Sequence, residues 1–281
     1  MYGRRKTLVC GIYFLVFSLL LACPSFAVDV VRVNGSGSGL HMMKPLIKAY
    51  ALANPEAAIE MEKPLGSSGA IKALLAGAMD IAVSSRLLKP AEVSAGATLQ
   101  PYGQTPLAIV ANQDVGKKDV SSQELVDLYA GKIRNWPAGG QVRLVLRPVE
   151  DADTKIIRKF SPEMDAAMTS AQARPGMTVA VTDPEALEAI AKTSGALGAS
   201  GLTGVMVEAL PVNVMSVNGV GPTPEALATG AYPLAKTLDF VTMDTLPAPA
   251  RKFLAFIYSP EGRTIAQSVG VQVTAGEQSP W

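Results

Sequence analysis

The chain is predicted to fold as α/β in two lobes, each a mixed but mainly parallel sheet flanked by helices. Three observations carry that prediction. Short apolar runs of strand length alternate with helical patterns from Val30 onward, the order that gives parallel sheets with right-handed crossovers. Beyond residue 27 the chain has 254 residues, enough for two domains or one large α/β domain. A second series of patterns begins near Leu107, and the tail returns to a strand at residues 238–242, so the chain crosses between lobes more than once.

Taken in order, Val30–Asn34 reads as a buried strand and Leu40–Ala53 as a helix burying Leu40, Met43, Ile47 and Tyr50. A strand follows at Ala58–Glu62, then a helix from Gly69 with Ile71, Leu74 and Leu75 inward, then a strand at Met79–Val83. Leu107–Ala111 opens the second unit. Ser121-Ser122-Gln123-Glu124 is a capping box ahead of a helix burying Leu125, Leu128 and Tyr129. Val142–Leu146 is a strand ending at Arg147. Asp183-Pro184-Glu185 starts a helix with proline in its first turn, and Gly195–Gly198 reads as a short inner strand. In the tail, a helix buries Phe253, Phe256 and Ile257, and Ser259-Pro260-Glu261-Gly262 opens the last one. Met42, Met43, Phe253, Phe256 and Trp136 read as core, and the lone histidine, His41, as an exposed or rim residue of the first helix.

Residues 1–27 have the anatomy of a secretory leader: basic Arg4, Arg5 and Lys6, an apolar stretch over 7–22, and Ser25-Phe26-Ala27 as a cleavage site. The apolar stretch falls short of the roughly 20 residues of a membrane span. A competing reading takes Leu20-Leu21-Ala22-Cys23 as a lipoprotein box with Cys23 acylated. Cleavage after Ala27 removes both cysteines, Cys10 and Cys23, leaving an exported chain without disulfides. It also takes three basic residues from 25, leaving 22 against 24 acidic ones and a charge of about −2. That balance argues against nucleic-acid binding, which calls for a basic stripe. Any bound anion must be held by local geometry.

Three short turns supply such geometry: Ser36-Gly37-Ser38-Gly39, Gly66-Ser67-Ser68-Gly69 and Ser84-Ser85-Arg86. Each follows a β-like run, and the first two lead directly into helices. Hydroxyls, glycine N–H groups and helix N-termini hold an anion without a metal. In parallel sheets ligands sit beyond the carboxyl ends of the strands, where these turns fall. Catalytic motifs do not emerge: there is no G-x-S-x-G elbow, one imidazole, no Walker lysine and no EF-hand spacing.

The chain resembles the phosphate-binding proteins of bacterial ABC importers, of type II periplasmic binding protein fold. The resemblance rests on Gly35–Gly39, Gly66–Lys72, Asp80–Arg86, Leu128–Ile133 with Asn135-Trp136, Arg147, Gly195–Gly198, Tyr232-Pro233-Leu234 and Ser259–Gly262, in that order. It implies two lobes joined by two hinge strands and closing over an oxyanion. The implied ligand contacts are Ser36, Gly37, Ser38, Gly39 and Leu40 in the first loop, Ser67, Ser68 and Gly69 in the second, and Ser84, Ser85 and Arg86 in the third. Arg147 matches the anion-facing arginine, and Asp153 and Thr154 fall in the second-lobe loop. There the family commonly reads Gly-Ser-Gly-Thr, whereas this chain has Asp151-Ala152-Asp153-Thr154. Two carboxylates beside a dianion repel it unless one is protonated or turned away. Plainer roles stand beside these: Arg86 pairing with Glu92, Arg147 with Glu150 or Asp151, and Asp151 or Asp153 capping the helix that carries Ile156 and Ile157.

The expected function is a non-catalytic periplasmic receptor that captures an inorganic oxyanion, phosphate first, for a membrane ABC permease. The alternatives are a receptor for another oxyanion or phosphonate that contacts a sensor and, less favoured, a hydrolase. No cofactor, metal or nucleic acid is expected, and the chain is expected to act as a monomer. Lobe 1 is expected over residues 28–106 and 222–281, and lobe 2 over 107–221.

Overall fold

The computed structural model describes residues 30–276; the leader expected over 1–27 lies outside them. The first elements are β1 (Val30–Gly35), α1 (Gly37–Ala53), β2 (Ala58–Met61), α2 (Gly66–Leu75) and β3 (Ile81–Ser84). β1 lies between β2 and β3, parallel to both, as the βαβαβ order requires. Both helices start earlier than their apolar periodicity indicates. The Ser36 hydroxyl accepts from Gly39 N at 3.2 Å and so caps α1 at Gly37. Gly66, at φ +71°, turns the chain into α2 through a backbone conformation that side chains disfavour.

A short helix α3 (Pro90–Ser94) leads into β4 (Ala97–Asn112), a strand of 16 residues. The second half of the chain holds β5 (Asp119–Val120), α4 (Ser122–Ala130), β6 (Arg143–Leu146), α5 (Ala152–Arg158), α6 (Pro162–Ala173), β7 (Thr178–Val179), α7 (Asp183–Lys192) and β8 (Ala196–Gly201). Then come α8 (Leu202–Glu208), β9 (Val212–Val217), α9 (Pro224–Ala228), β10 (Ala235–Met243), α10 (Ala248–Tyr258), α11 (Pro260–Ser268) and β11 (Gln272–Val273). Among the described residues no helix is long and apolar enough to cross a membrane.

Leu107–Ala111, read from sequence as the start of a new unit, is the far half of β4. Residues 97–106 of that strand pair antiparallel with β10, and residues 107–111 with β8. The hand-over falls at Pro106, which has no N–H to give a ladder, and the polar run Gln104-Thr105 masks the continuity in sequence. The main path of the sheet is β2-β1-β3-β10-β4-β8-β6-β7.

Hydrophobic clusters flank this sheet on either side of the hand-over. One group gathers Val31, Met42, Met43, Phe240, Phe253 and Ile257, with Ile71 and Leu74 on the other face. The other gathers Leu107, Leu125, Leu128, Tyr129, Trp136 and Leu197, with Leu187 and Ile190 opposite. Trp136 packs there as expected, its indole N–H donating to Gly195 O at 3.0 Å. Leu227, Tyr232 and Leu234 also belong to this second cluster, and the Tyr232 hydroxyl donates to Leu107 O at 2.9 Å. Residues 222–234, grouped with the first lobe on sequence, thus pack with the second core: the strand that returns the chain begins only at Ala235.

Gly39 packs against this architecture. A Cβ there would lie 2.6 Å from Val83 Cγ1 and 2.9 Å from Val83 Cβ, so α1 can rest on β3 only with glycine at this position. Gly39→Ala is expected to destabilise the protein by about 1–3 kcal/mol through overpacking. An unchanged denaturant midpoint contradicts that reading.

Candidate functional site

A cleft of about 620 Å³ opens where the two cores meet, and four helix N-termini reach it. Ser36 and Gly37 bring α1, Gly66, Ser67 and Ser68 bring α2, Asp151 and Ala152 bring α5, and Thr182 and Asp183 bring α7. The ends divide into two kinds. Neither α1 nor α2 has an acidic residue in its own first turn: α2 is left uncompensated, whereas the Asp183 carboxylate of α7 reaches the start of α1 through Ser38. α5 and α7 carry their own carboxylates there, on Asp151, Asp153 and Asp183.

On the α1/α2 wall a serine relay fixes the turns to one another. Ser85 N donates to Ser67 Oγ at 2.9 Å, and the Ser85 and Ser36 hydroxyls share a hydrogen bond of 2.8 Å. Behind them, the Asn34 side-chain carbonyl accepts from Gly35 N at 2.8 Å and Leu65 N at 2.9 Å, which ties the α2 turn to β1. Arg86 donates through Nε to Ser68 Oγ at 3.0 Å, but its other nitrogens grip Glu92 at 2.9 and 2.7 Å and Leu87 O at 2.8 Å. Hydrogen bonding to Arg86 brings the Glu92 carboxyl down to about 2.

The opposite wall is a buried charge network. Arg147 Nη2 donates to Asp151 at 2.8 Å and to Asp183 at 3.0 Å; Nε donates to Asp151 at 3.3 Å and Nη1 to Ala180 O at 3.1 Å. Lys236, 1% exposed on β10, lies 2.5 Å from Asp153 Oδ1 and 2.9 Å from Asp183 Oδ2. Asp183 also accepts the Ser38 hydroxyl at 2.6 Å. Three carboxylates thus face two cations.

Burial opposes ionisation of Asp153 and Asp183 alike, and their partners decide the outcome. Burial opposes the charge on Asp183, but Lys236, Arg147 and the Ser38 hydroxyl outweigh it and hold that carboxyl far below its ordinary value. Asp153 shares the same cations with two competing acids. Burial, reinforced by Asp183 and Asp151 against the pull of Lys236, pushes its carboxyl up to about 7. Lys236 stays charged: burial disfavours its ammonium, and Asp153 and Asp183 more than compensate.

A family model described as a PBP superfamily domain matches residues 24–261. The chain belongs to the PBP superfamily. It is 28% identical over 234 residues to the phosphate-binding protein PstS of Bacillus subtilis, covering 80% of this chain and 75% of the relative. It is 23% identical over 274 residues to the phosphate-binding protein PstS of Borreliella burgdorferi, covering 94% and 98%. A putative phosphate ABC transporter substrate-binding protein from Clostridium perfringens, solved with bound phosphate, superposes with a TM-score of 0.73 at 22% identity, over 88% of this chain and 100% of that one. The fold is that of type II periplasmic binding proteins.

Within this PBP-superfamily fold, the cleft brings together Ser36, Gly37, Ser67, Ser68, Ser85, Arg86 and Arg147 from the sequence-derived set. The remainder stand elsewhere. Ser38 is turned to Asp183, and the Ser84 hydroxyl donates to Arg86 O at 2.7 Å. Gly39 and Leu40 pack in the core, and Gly69 sits in the first turn of α2 behind the cleft-lining serines. Asp153 is fully buried against Lys236, and the Thr154 hydroxyl donates to Arg147 O at 3.3 Å. Arg147 reaches the cleft with four of its five N–H donors already engaged, so it lends positive potential more than free hydrogen bonds. The plainer readings hold for the Arg86–Glu92 pair and for Asp151, which caps α5 by accepting from Asp153 N at 2.9 Å.

His41 is a correction. It is buried, with Nε2 3.1 Å from Glu208 on α8, because α8 covers the face of α1 that the sequence left open. Gly204 permits the approach, since a Cβ there would lie 2.8 Å from His41 Nδ1. Lys236 and Asp183 are the residues the sequence reading missed as part of the site: one reads as a polar position in a strand, the other as a helix start. The signal available was the unusual pair of acids at 151 and 153, which demanded buried cations from elsewhere in the chain.

An acid with a raised value favours the folded state while protonated. Asp153 therefore contributes stability at low pH that is lost as pH rises from its ordinary 3.8 towards about 7. Relative to Asp153→Asn, the wild type is expected to lose stability across that window in chemical denaturation. Parallel stability curves for the two proteins rule this out.

Proposed function

We propose that this chain is a periplasmic solute-binding protein that captures phosphate for an ABC-type importer. The observation that carries the reading is the α1/α2 wall: two helix N-termini with no acid in their own first turns, with Ser36, Ser67, Ser68 and Ser85 around one corner of the cleft. Neutral N–H and O–H donors at such ends hold an inorganic oxyanion tightly and leave few alternatives for other ligands. The relatives named above are phosphate-binding proteins, and one of the similar structures holds phosphate.

In this reading residues 28–106 with 235–281 form one lobe and residues 107–234 the other. β4 and the segment entering β10 are the hinge strands, since β4 runs through the hand-over at Pro106 and β10 begins opposite it at Ala235. Closure expels water from the cleft and strengthens every donor–anion bond. Residues 1–27 direct export, and the closed form meets the permease. The opposite wall enters as an electrostatic brake, because its excess carboxylate favours a ligand that turns a protonated oxygen towards it.

Calorimetry on the exported form is expected to show one phosphate bound per chain. Silence towards phosphate, phosphonate, sulfate, arsenate and molybdate alike overturns the receptor reading. Ser67→Ala and Ser68→Ala are each expected to weaken phosphate binding by about 1.5–3 kcal/mol, the worth of a hydrogen bond to a charged group. Wild-type affinity in both variants removes the α2 turn from the site.

A further inference from the structure

Asp183 joins the two walls of the cleft. It opens α7 on one wall and accepts from Ser38, in the first turn of α1, on the other at 2.6 Å. Its carboxylate also receives Arg147 Nη2 at 3.0 Å and Lys236 Nζ at 2.9 Å. A hydroxyl at an acid-free helix start, a guanidinium and an ammonium form the donor set that an inorganic oxyanion calls for. Here that set closes around a side-chain carboxylate of the protein itself. The approach is tight: a Cβ at Gly37 would lie 2.5 Å from Asp183 Cβ and 3.1 Å from Oδ1, so glycine is what lets α1 begin this close to the carboxylate.

We propose that Asp183 sets the affinity of the receptor as an internal competitor: its carboxylate fills the α1 corner of the cleft and is displaced when a phosphate-like anion enters. In the ligand-free protein it braces α1 against α7. When the anion arrives, the Ser38 hydroxyl and the positive potential of Arg147 and Lys236 pass from the protein's carboxylate to the ligand's oxygens. Affinity is then a difference between two anions held by the same donors. Removing the charge of Asp183 does not strand the cations, because Asp151 and Asp153 still face Arg147 and Lys236 two against two.

The affinity half of this proposal rests on the phosphate-receptor reading, and the bracing half does not. The test compares phosphate calorimetry and ligand-free small-angle scattering for the wild type, Asp183→Asn and Ser38→Ala. Asp183→Asn is expected to bind phosphate at least tenfold more tightly than the wild type, with Ser38→Ala giving a larger ligand-free radius of gyration. Should Asp183→Asn not fold, Asp183→Ser removes the same charge with a smaller polar group. Equal or weaker phosphate binding in the charge-removing variant, with the wild type binding normally, overturns the competitor role. If the wild type itself takes up no phosphate, the receptor reading fails separately. Scattering then decides the rest: a radius of gyration unchanged in both variants overturns the brace.

Discussion

Lys236 and Arg147 are buried, and a buried cation is tolerated only where carboxylates surround it. That constraint organises the cleft. Asp151, Asp153 and Asp183 come from two helix starts, Lys236 from a strand that returns from the far end of the chain, and Arg147 from the end of β6. Bringing five charges together fixes how those elements meet. Burial, with the two other acids beside it, then makes Asp153 harder to ionise than an ordinary aspartate.

The two walls consequently do different jobs. The α1/α2 wall is neutral and rich in donors, its serines oriented by bonds to one another and its helix starts without acids of their own. The α5/α7 wall is charged, its acids and bases paired with one another. Under the proposed function, an anion entering between them gains direct hydrogen bonds from the first and meets a field of mixed sign from the second. Selectivity in such a cleft arises from how the guest distributes its protons as much as from its net charge.

Sequence reached the fold because its signals are local. Strand-length apolar runs, the Ser121–Glu124 capping box, and the proline starts at Pro184 and Pro260 all stand where the structure has elements. The serine turns were legible for the same reason, since hydroxyl and glycine at a strand-to-helix junction need only a few neighbouring residues. The charge network was not. Lys236 meets Asp183 across 53 residues, and nothing beside either one announces the other. His41 was misplaced for a related reason: residues 37–43 are all buried, a wrap that depends on α8 and not on the periodicity of α1. Arg147, read as facing the ligand, lines the cleft, but Asp151 four residues on and the distant Asp183 and Ala180 engage most of its donors.

β4 threads both halves of the molecule as one unbroken ribbon, paired with β10 over 97–106 and with β8 from 107. A backbone shared in this way denies either half an independent existence. Excising one half strips the other of a central strand and exposes the apolar residues that flank it. The halves must therefore acquire structure together, and a nick near Pro106 would cost the molecule its integrity as a whole.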